Sequence, residues 1–260
     1  MDNFIQPSDP AASDGQNSSK RRVLDFNKLS QPIKLVCFPH AGGNSSFFAK
    51  WQNIHPNIEL TRIVLPGRET RRKEQAKTIM ADMLEDVVGQ LELLVNEPYV
   101  LFGHSMGSAI AYEVALHFES IGKGPEHLFV SGRRAPHLPA RRRPVYDLAE
   151  NDFLNAMYSL NGTPEAVMQE SSLMELFLPC LRADFELIET YQPNLKRRVN
   201  CSVTAMCGDS DPEVNCSELA AWKQLTNGQF KSQVFIGDHF YLRNAESDVF
   251  SKIRNDLSLR

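Results

Sequence analysis

Tyr99-Val100-Leu101-Phe102-Gly103-His104-Ser105-Met106-Gly107-Ser108-Ala109 is the stretch that decides the fold. Its first four residues form a short apolar, strand-favouring run, and Met106 to Ser120 carries a helical pattern. Between them Gly103, Ser105 and Gly107 spell GxSxG, directly after a strand and directly before a helix. A serine at so sharp a turn needs strained backbone angles, and glycines two residues to either side remove the Cβ atoms that would collide. Ser108 and Ala109 keep the start of the helix small enough to pack close to a sheet. The helix N-terminus also favours the negative charge that develops when the serine attacks. In an arbitrary loop GxSxG carries little weight; here it marks Ser105 as a nucleophile.

Outward from this turn, short β-rich runs recur at Ile33–Phe38, Leu60–Leu65, Leu128–Ser131, Val203–Cys207 and Val234–Ile236. They are near-continuously apolar, as strands buried on both faces of a parallel sheet must be. Helical patterns separate them: Thr78–Val95, Met106–Ser120, Ser217–Thr226 and Glu246–Leu257. The alternation predicts an α/β fold, a doubly wound, mostly parallel sheet covered on both faces. One interval departs from it. Residues 145–191 hold two successive helical patterns, Asp147–Leu160 and Ser171–Tyr191, joined by Asn161-Gly162-Thr163-Pro164. This apolar insertion is expected to form a lid, with Pro179 bending or splitting its second helix.

With 260 residues, 42% hydrophobic and 23% charged, the chain suits one large α/β domain spanning 31–260, preceded by a polar, flexible leader over 1–30. A net charge of −4 argues against a nucleic-acid binder. No apolar run approaches the roughly 18 residues needed to span a bilayer, and the leader lacks a secretory apolar region. A cytoplasmic monomer is expected. The five cysteines are odd in number and form no CxxC pair, so they are expected to be inert thiols.

The strand–GxSxG–helix arrangement is the nucleophile turn of the α/β-hydrolase fold, whose partners follow in the order serine, acid, histidine. Among seven histidines only His239, in Gly237-Asp238-His239-Phe240, follows the last strand, which makes it the base. The acid belongs after the penultimate strand, where Cys207-Gly208-Asp209-Ser210-Asp211-Pro212 offers Asp211, with Asp209 as the alternative. The oxyanion hole needs the backbone N–H of Met106 and a second donor from Pro39-His40-Ala41-Gly42-Gly43; Ala41 is preferred and Gly42 is possible. Gly42, His104 and Phe240, next to these groups in sequence, are expected to contact substrate. Arg133, Arg134, Arg141, Arg142 and Arg143 read as a solvated basic loop, with a rim that steers an acidic carrier protein or contacts its phosphate as the alternative, and Arg182 with Asp184 as a structural pair. No metal-ligand spacing and no phosphate-cradling glycine loop occurs, so neither a metal nor a cofactor is expected.

Phe38–Gly43, Leu65-Pro66-Gly67-Arg68-Glu69, Gly103–Gly107, Ser131–His137, Leu181-Arg182-Ala183-Asp184-Phe185 and Gly237–Tyr241 together resemble the type II thioesterases. These free-standing hydrolases accompany nonribosomal peptide and polyketide synthases, and an animal branch serves fatty acid synthase. The resemblance runs from about Ile33 to Leu242. It implies a substrate held as an acyl thioester on the phosphopantetheine arm of an acyl or peptidyl carrier protein within a multimodular synthase. It places the triad at Ser105, Asp211 and His239, and makes the helical insertion the substrate lid. Gly237-Asp238 departs from the two glycines that members often carry before the histidine. Rival expectations are a chain-terminating medium-chain fatty acyl thioesterase and an oxygen-ester lipase or carboxylesterase.

Overall fold

The computed structural model describes residues 25–158 and 171–259. The leader expected over 1–30 therefore lies outside the described residues up to position 24. Its last part belongs to the fold: Phe26–Lys28 is a 3-10 turn capped by Asp25, and Phe26 and Leu29 pack on the core. The linker between the two helices of the insertion, Asn161 to Pro164, also lies outside the described residues.

Six strands, β1 Ile33–Phe38, β2 Ile58–Arg62, β3 Tyr99–His104, β4 His127–Ser131, β5 Ser202–Gly208 and β6 Phe230–Phe235, form one sheet in the order β2-β1-β3-β4-β5-β6. Every neighbouring pair is parallel. The strand sides alternate between two cores, as a period of two requires. Val36, Phe38, Leu101, Leu128, Val130, Val203 and Ala205 face one core together with α1 (Met80–Leu91) and α2 (Met106–Ser120). Leu35, Cys37, Val100, Phe102, Phe129 and Met206 face the other, with Phe48, Trp51 and the last helix. Both sides are dry, which explains why these strands read as unbroken apolar runs.

Differences from expectation fall at the edges. The edge strand β6 starts at Phe230, because Lys231, Ser232 and Gln233 are exposed and give no apolar signal. Exposed polar side chains are how edge strands avoid further pairing. The helix after β5 is short, α5 over Cys216–Ala220, and tightens into a 3-10 segment at Ala221–Leu225. The chain closes with α6, Glu246–Asp256.

Between β4 and β5 lie α3, Glu150–Tyr158, and α4, Ser171–Thr190. Helix α4 runs on through Pro179, so the proline does not split it. Packing on both sides of the proline accounts for this: Phe177, Leu178, Leu181 and Phe185 join Phe153, Met157 and Val145 in a third apolar cluster that also touches Ala41. The insertion is thus seated directly over the loop that follows β1.

That loop matters because the winding direction reverses between β1 and β3. The connections leave these adjacent strands toward opposite sides and open a crevice at their carboxyl ends, the place where parallel sheets hold their ligands.

Candidate active site

Ser105 sits in that crevice with φ 54° and ψ −117°, a conformation rare for any residue with a side chain. Such a position costs on the order of 1–3 kcal/mol and persists only where surrounding contacts hold it. Here they are plain. The Ser105 amide donates to the Ser131 carbonyl at 2.7 Å. The Ser108 hydroxyl lies 2.8 Å from the Gly103 carbonyl and 3.0 Å from the Ser131 amide. A Cβ at Gly103 would fall 2.2 Å from the Gly107 carbonyl, and one at Gly107 2.2 Å from the Phe38 carbonyl. Both glycines are therefore dictated by close backbone approach.

His239 follows β6 and Asp211 follows β5, and the fold brings them together. His239 Nδ1 lies 3.0 Å from each Asp211 carboxylate oxygen, and the Asp211 side chain is fully buried. The Glu213 amide also donates to Asp211 Oδ1 at 2.8 Å, which fixes the carboxylate plane. Asp209 is exposed and does something else: its Oδ1 accepts from the Gly237 amide and the Ser210 hydroxyl, both at 3.0 Å, tying the β5 loop to the histidine loop. The Gly237 amide, chiefly, holds this carboxyl below its usual pKa.

Ser105 and His239 share the wall of one cavity of about 350 Å³ with Met106 and Ala41. As the first residue of α2, Met106 has an amide that no earlier helical turn can satisfy. Across the cavity, the amides of the β1 loop are divided. Gly43 donates to the His40 carbonyl at 2.8 Å, and Gly42 donates to Asp184 Oδ2 at 2.7 Å. Gly42 is thus corrected as an oxyanion donor, since its N–H is already committed. Among the described residues the Ala41 N–H meets no acceptor.

His104 and Phe240 are buried around His239 and are not among the residues that line this cavity. His104 is fully buried, hydrogen-bonded through Nδ1 to the Ser131 hydroxyl at 2.9 Å, with its ring 5.2 Å from that of His239. Phe240 is 5% exposed and packs edge-on against His40 and His239. Burial pushes His40 down to about 3 and His104 well below the ordinary histidine range, so both rings are neutral supports.

The Arg182–Asp184 pairing is also corrected. Arg182 donates to the Tyr146 and Leu148 carbonyls and lies over the Phe153 ring. Asp184 instead receives Arg68 through two bonds, Nη1–Oδ2 at 2.8 Å and Nη2–Oδ1 at 2.7 Å. Arg68 Nη1 also donates to the Gly43 carbonyl at 3.1 Å. Next to it, Glu69 accepts from the Ser45 amide at 2.8 Å and the Ser45 hydroxyl at 3.0 Å. Three charged side chains therefore brace the loop that carries Ala41. Burial works against the Arg68 charge, and the Asp184 carboxylate more than offsets it, so the guanidinium is held above its ordinary pKa. Sequence reasoning missed this brace, although one signal was present: residues two apart on a helix face different sides, so Arg182 was a poor partner for Asp184.

Among the described residues no group of three or more histidine, cysteine, aspartate or glutamate side chains could hold a metal. Cys37, Cys180, Cys201 and Cys207 are buried thiols and Cys216 is an exposed one; none is in a disulfide. Within the same bounds no helix is long and apolar enough to cross a membrane.

Residues 33–257 match the family model described as a thioesterase domain. The chain belongs to the thioesterase family. This thioesterase is 37% identical over 229 residues to the gramicidin S biosynthesis protein GrsT of Aneurinibacillus migulanus, covering 87% of this chain and 90% of the relative. It is 33% identical to the medium-chain S-acyl fatty acid synthase thioesterase of Rattus norvegicus, over 93% of this chain and 94% of the relative. Among solved structures it resembles the RedJ thioesterase of the prodiginine biosynthetic pathway in Streptomyces coelicolor, with a TM-score of 0.81, 34% identity, and 86% and 90% of the two chains covered. It is a thioester hydrolase of the α/β-hydrolase fold.

In this thioesterase the brace has a measurable consequence. Asp184→Ala leaves Arg68 buried without its counter-charge, and an expected cost of about 3–5 kcal/mol follows. The urea midpoint should fall accordingly, and kcat should fall more than KM changes, because the Gly42 amide loses its acceptor. Arg68→Met combined with Asp184→Leu removes both charges and should recover much of the stability while kcat stays low. Full recovery of kcat in the double variant would reduce the pair to a packing device.

Proposed function

We propose that the chain clears acyl groups from the phosphopantetheine arm of acyl or peptidyl carrier proteins serving a nonribosomal peptide or polyketide synthase in the cytoplasm. The observation that carries this reading is Ser105 at its strained turn, on one cavity with a His239 bonded to a buried Asp211, in a chain like GrsT and RedJ over nearly its whole length. His239 Nε2 takes the Ser105 proton as the hydroxyl attacks the thioester carbonyl. The tetrahedral oxyanion lies between the Met106 and Ala41 amides. Its collapse expels the thiolate of the arm, which takes the proton from His239 and leaves readily because its conjugate acid has a pKa near 8.5. A water deprotonated by His239 then hydrolyses the acyl-serine, returning the free acid and Ser105. Asp211 holds the imidazole in the tautomer with its proton on Nδ1 and stabilises the imidazolium without taking the proton.

The test compares carrier-bound or N-acetylcysteamine acyl thioesters with oxygen esters of the same acyl groups. Thioester kcat/KM is expected to exceed oxygen-ester kcat/KM by at least about tenfold, given the better leaving group. A strong preference for oxygen esters would return the chain to the esterases. The likeness to the rat enzyme favours a second reading, release of medium-chain fatty acids from a fatty acid synthase. A sharp optimum at medium chain length on the fatty acid synthase carrier would select it; broad tolerance of short acyl groups selects clearance.

A further inference from the structure

Four arginines and two glutamates stand on the cavity wall: Arg133, Arg134, Arg141, Arg142, Glu189 and Glu213. Nearly all of them are spoken for. Arg134 lies 3.0 Å from Glu218, which also pairs with Arg141, and Arg142 lies 2.8 Å from Glu213. Glu189 accepts the Val145 and Tyr146 amides at 2.8 and 3.0 Å. The expected solvated basic loop is therefore largely a set of ion pairs.

Arg133 stands apart. Among the described residues its guanidinium makes no ion pair and no hydrogen bond, and its Nε is shut from solvent without a partner. Burial pushes its pKa down to about 10. The side chain as a whole is part-buried, and a cation partly drawn out of water gains from an anion that meets it. The residue is also rooted beside the chemistry. A Cβ on the preceding Gly132 would lie 3.2 Å from His239 Cε1, and the Ser131 carbonyl receives the Ser105 amide at 2.7 Å. The backbone carbonyl of Arg133 is fixed in turn by the Trp222 indole N–H at 2.8 Å.

We propose that Arg133 is an anion subsite of the acyl cavity, taking a negatively charged oxygen group carried by the thioester substrate. This rests on the thioester-hydrolase reading and narrows it. Two parts of such a substrate carry that chemistry, a carboxylate on the acyl chain and the phosphodiester of the arm. Arg133 lines the same cavity as Ser105, which favours the acyl carboxylate, because the phosphodiester lies at the opposite end of the arm from the sulfur. The enzyme then prefers dicarboxylic acyl thioesters over their uncharged equivalents.

Four thioesters separate the cases: hexanoyl and adipoyl groups, each on N-acetylcysteamine, which lacks phosphate, and on phosphopantetheine, which has it. Values of kcat/KM are measured for the unmodified protein, Arg133→Gln and Arg133→Lys, with thermal unfolding as the check on folding. Removing the cation should lower the adipoyl-to-hexanoyl ratio roughly ten- to a hundredfold, the range for a hydrogen bond to a charged group. Arg133→Lys should keep part of it, which also serves if the glutamine variant does not fold. A fall confined to the phosphopantetheine-to-N-acetylcysteamine ratio supports the subsite with the phosphodiester as its ligand. Ratios unmoved in both variants, while the unmodified protein turns over all four substrates, overturn the subsite and leave the hydrolase reading standing. No turnover of any of the four by the unmodified protein would sink both.

Discussion

Ser105→Ala is expected to abolish thioester hydrolysis, lowering kcat by about 10⁶, the scale seen when a triad nucleophile is removed. The structure says why this loss should be purely chemical. The backbone at 105 is held by its amide bond to the Ser131 carbonyl and by the close approach of Gly103 and Gly107, none of which involves the hydroxyl. Alanine suffers the same steric penalty at φ 54° as serine does, so the turn should keep its shape and its stability. Two measurements check this. Intact-mass spectrometry under single-turnover conditions should show an acyl adduct on the unmodified protein and none on the variant, while thermal unfolding midpoints agree closely. Substantial turnover by the folded alanine variant would remove Ser105 from the chemistry altogether.

Asp211→Asn should lower kcat by about 10⁴ with little change in KM, as removal of the orienting charge does in serine triads. The carboxylate sits 3.0 Å from His239 Nδ1 through both oxygens, so an amide in its place presents an N–H toward a nitrogen that must itself donate. The imidazole would respond by moving its proton to Nε2, where it cannot serve as base. Asp209→Asn is the control. Its carboxylate caps Gly237 and Ser210 at the surface and touches no ring, so turnover should fall by less than about tenfold. Similar small losses in the two variants would leave the acid of the site unidentified.

How far the sequence carried this description depended on the range of the interaction. Strands buried on both faces announce themselves through local composition, and β1 has the bounds read from the chain, Ile33–Phe38. The serine turn was legible because steric need writes its glycines into adjacent positions. His239 and Asp211 were picked out by chain order alone, since each follows a particular strand, and the fold sets them 3.0 Å apart. The edge strand β6 begins at Phe230, ahead of the apolar run Val234–Ile236 that marks it in the sequence, because its polar middle faces water and gives no apolar signal. The brace from Arg68 to Asp184 joins residues 116 apart, and no local pattern reports such a meeting. The burial of His104 and Phe240 is likewise not written locally, since standing next to a reactive residue in sequence says little about facing the same way.

One asymmetry in the anchoring has a practical side. The bend carrying the serine hydroxyl is tied sideways to β4, through the Ser131 carbonyl and the Ser108 hydroxyl, and owes nothing to the helices seated above it. A foreign helical pair grafted between β4 and β5 would therefore leave those ties of the serine turn in place. The exchange has one condition that the described residues impose. The grafted segment must bring a carboxylate to the station of Asp184, or Gly42 and Arg68 lose the group they both lean on.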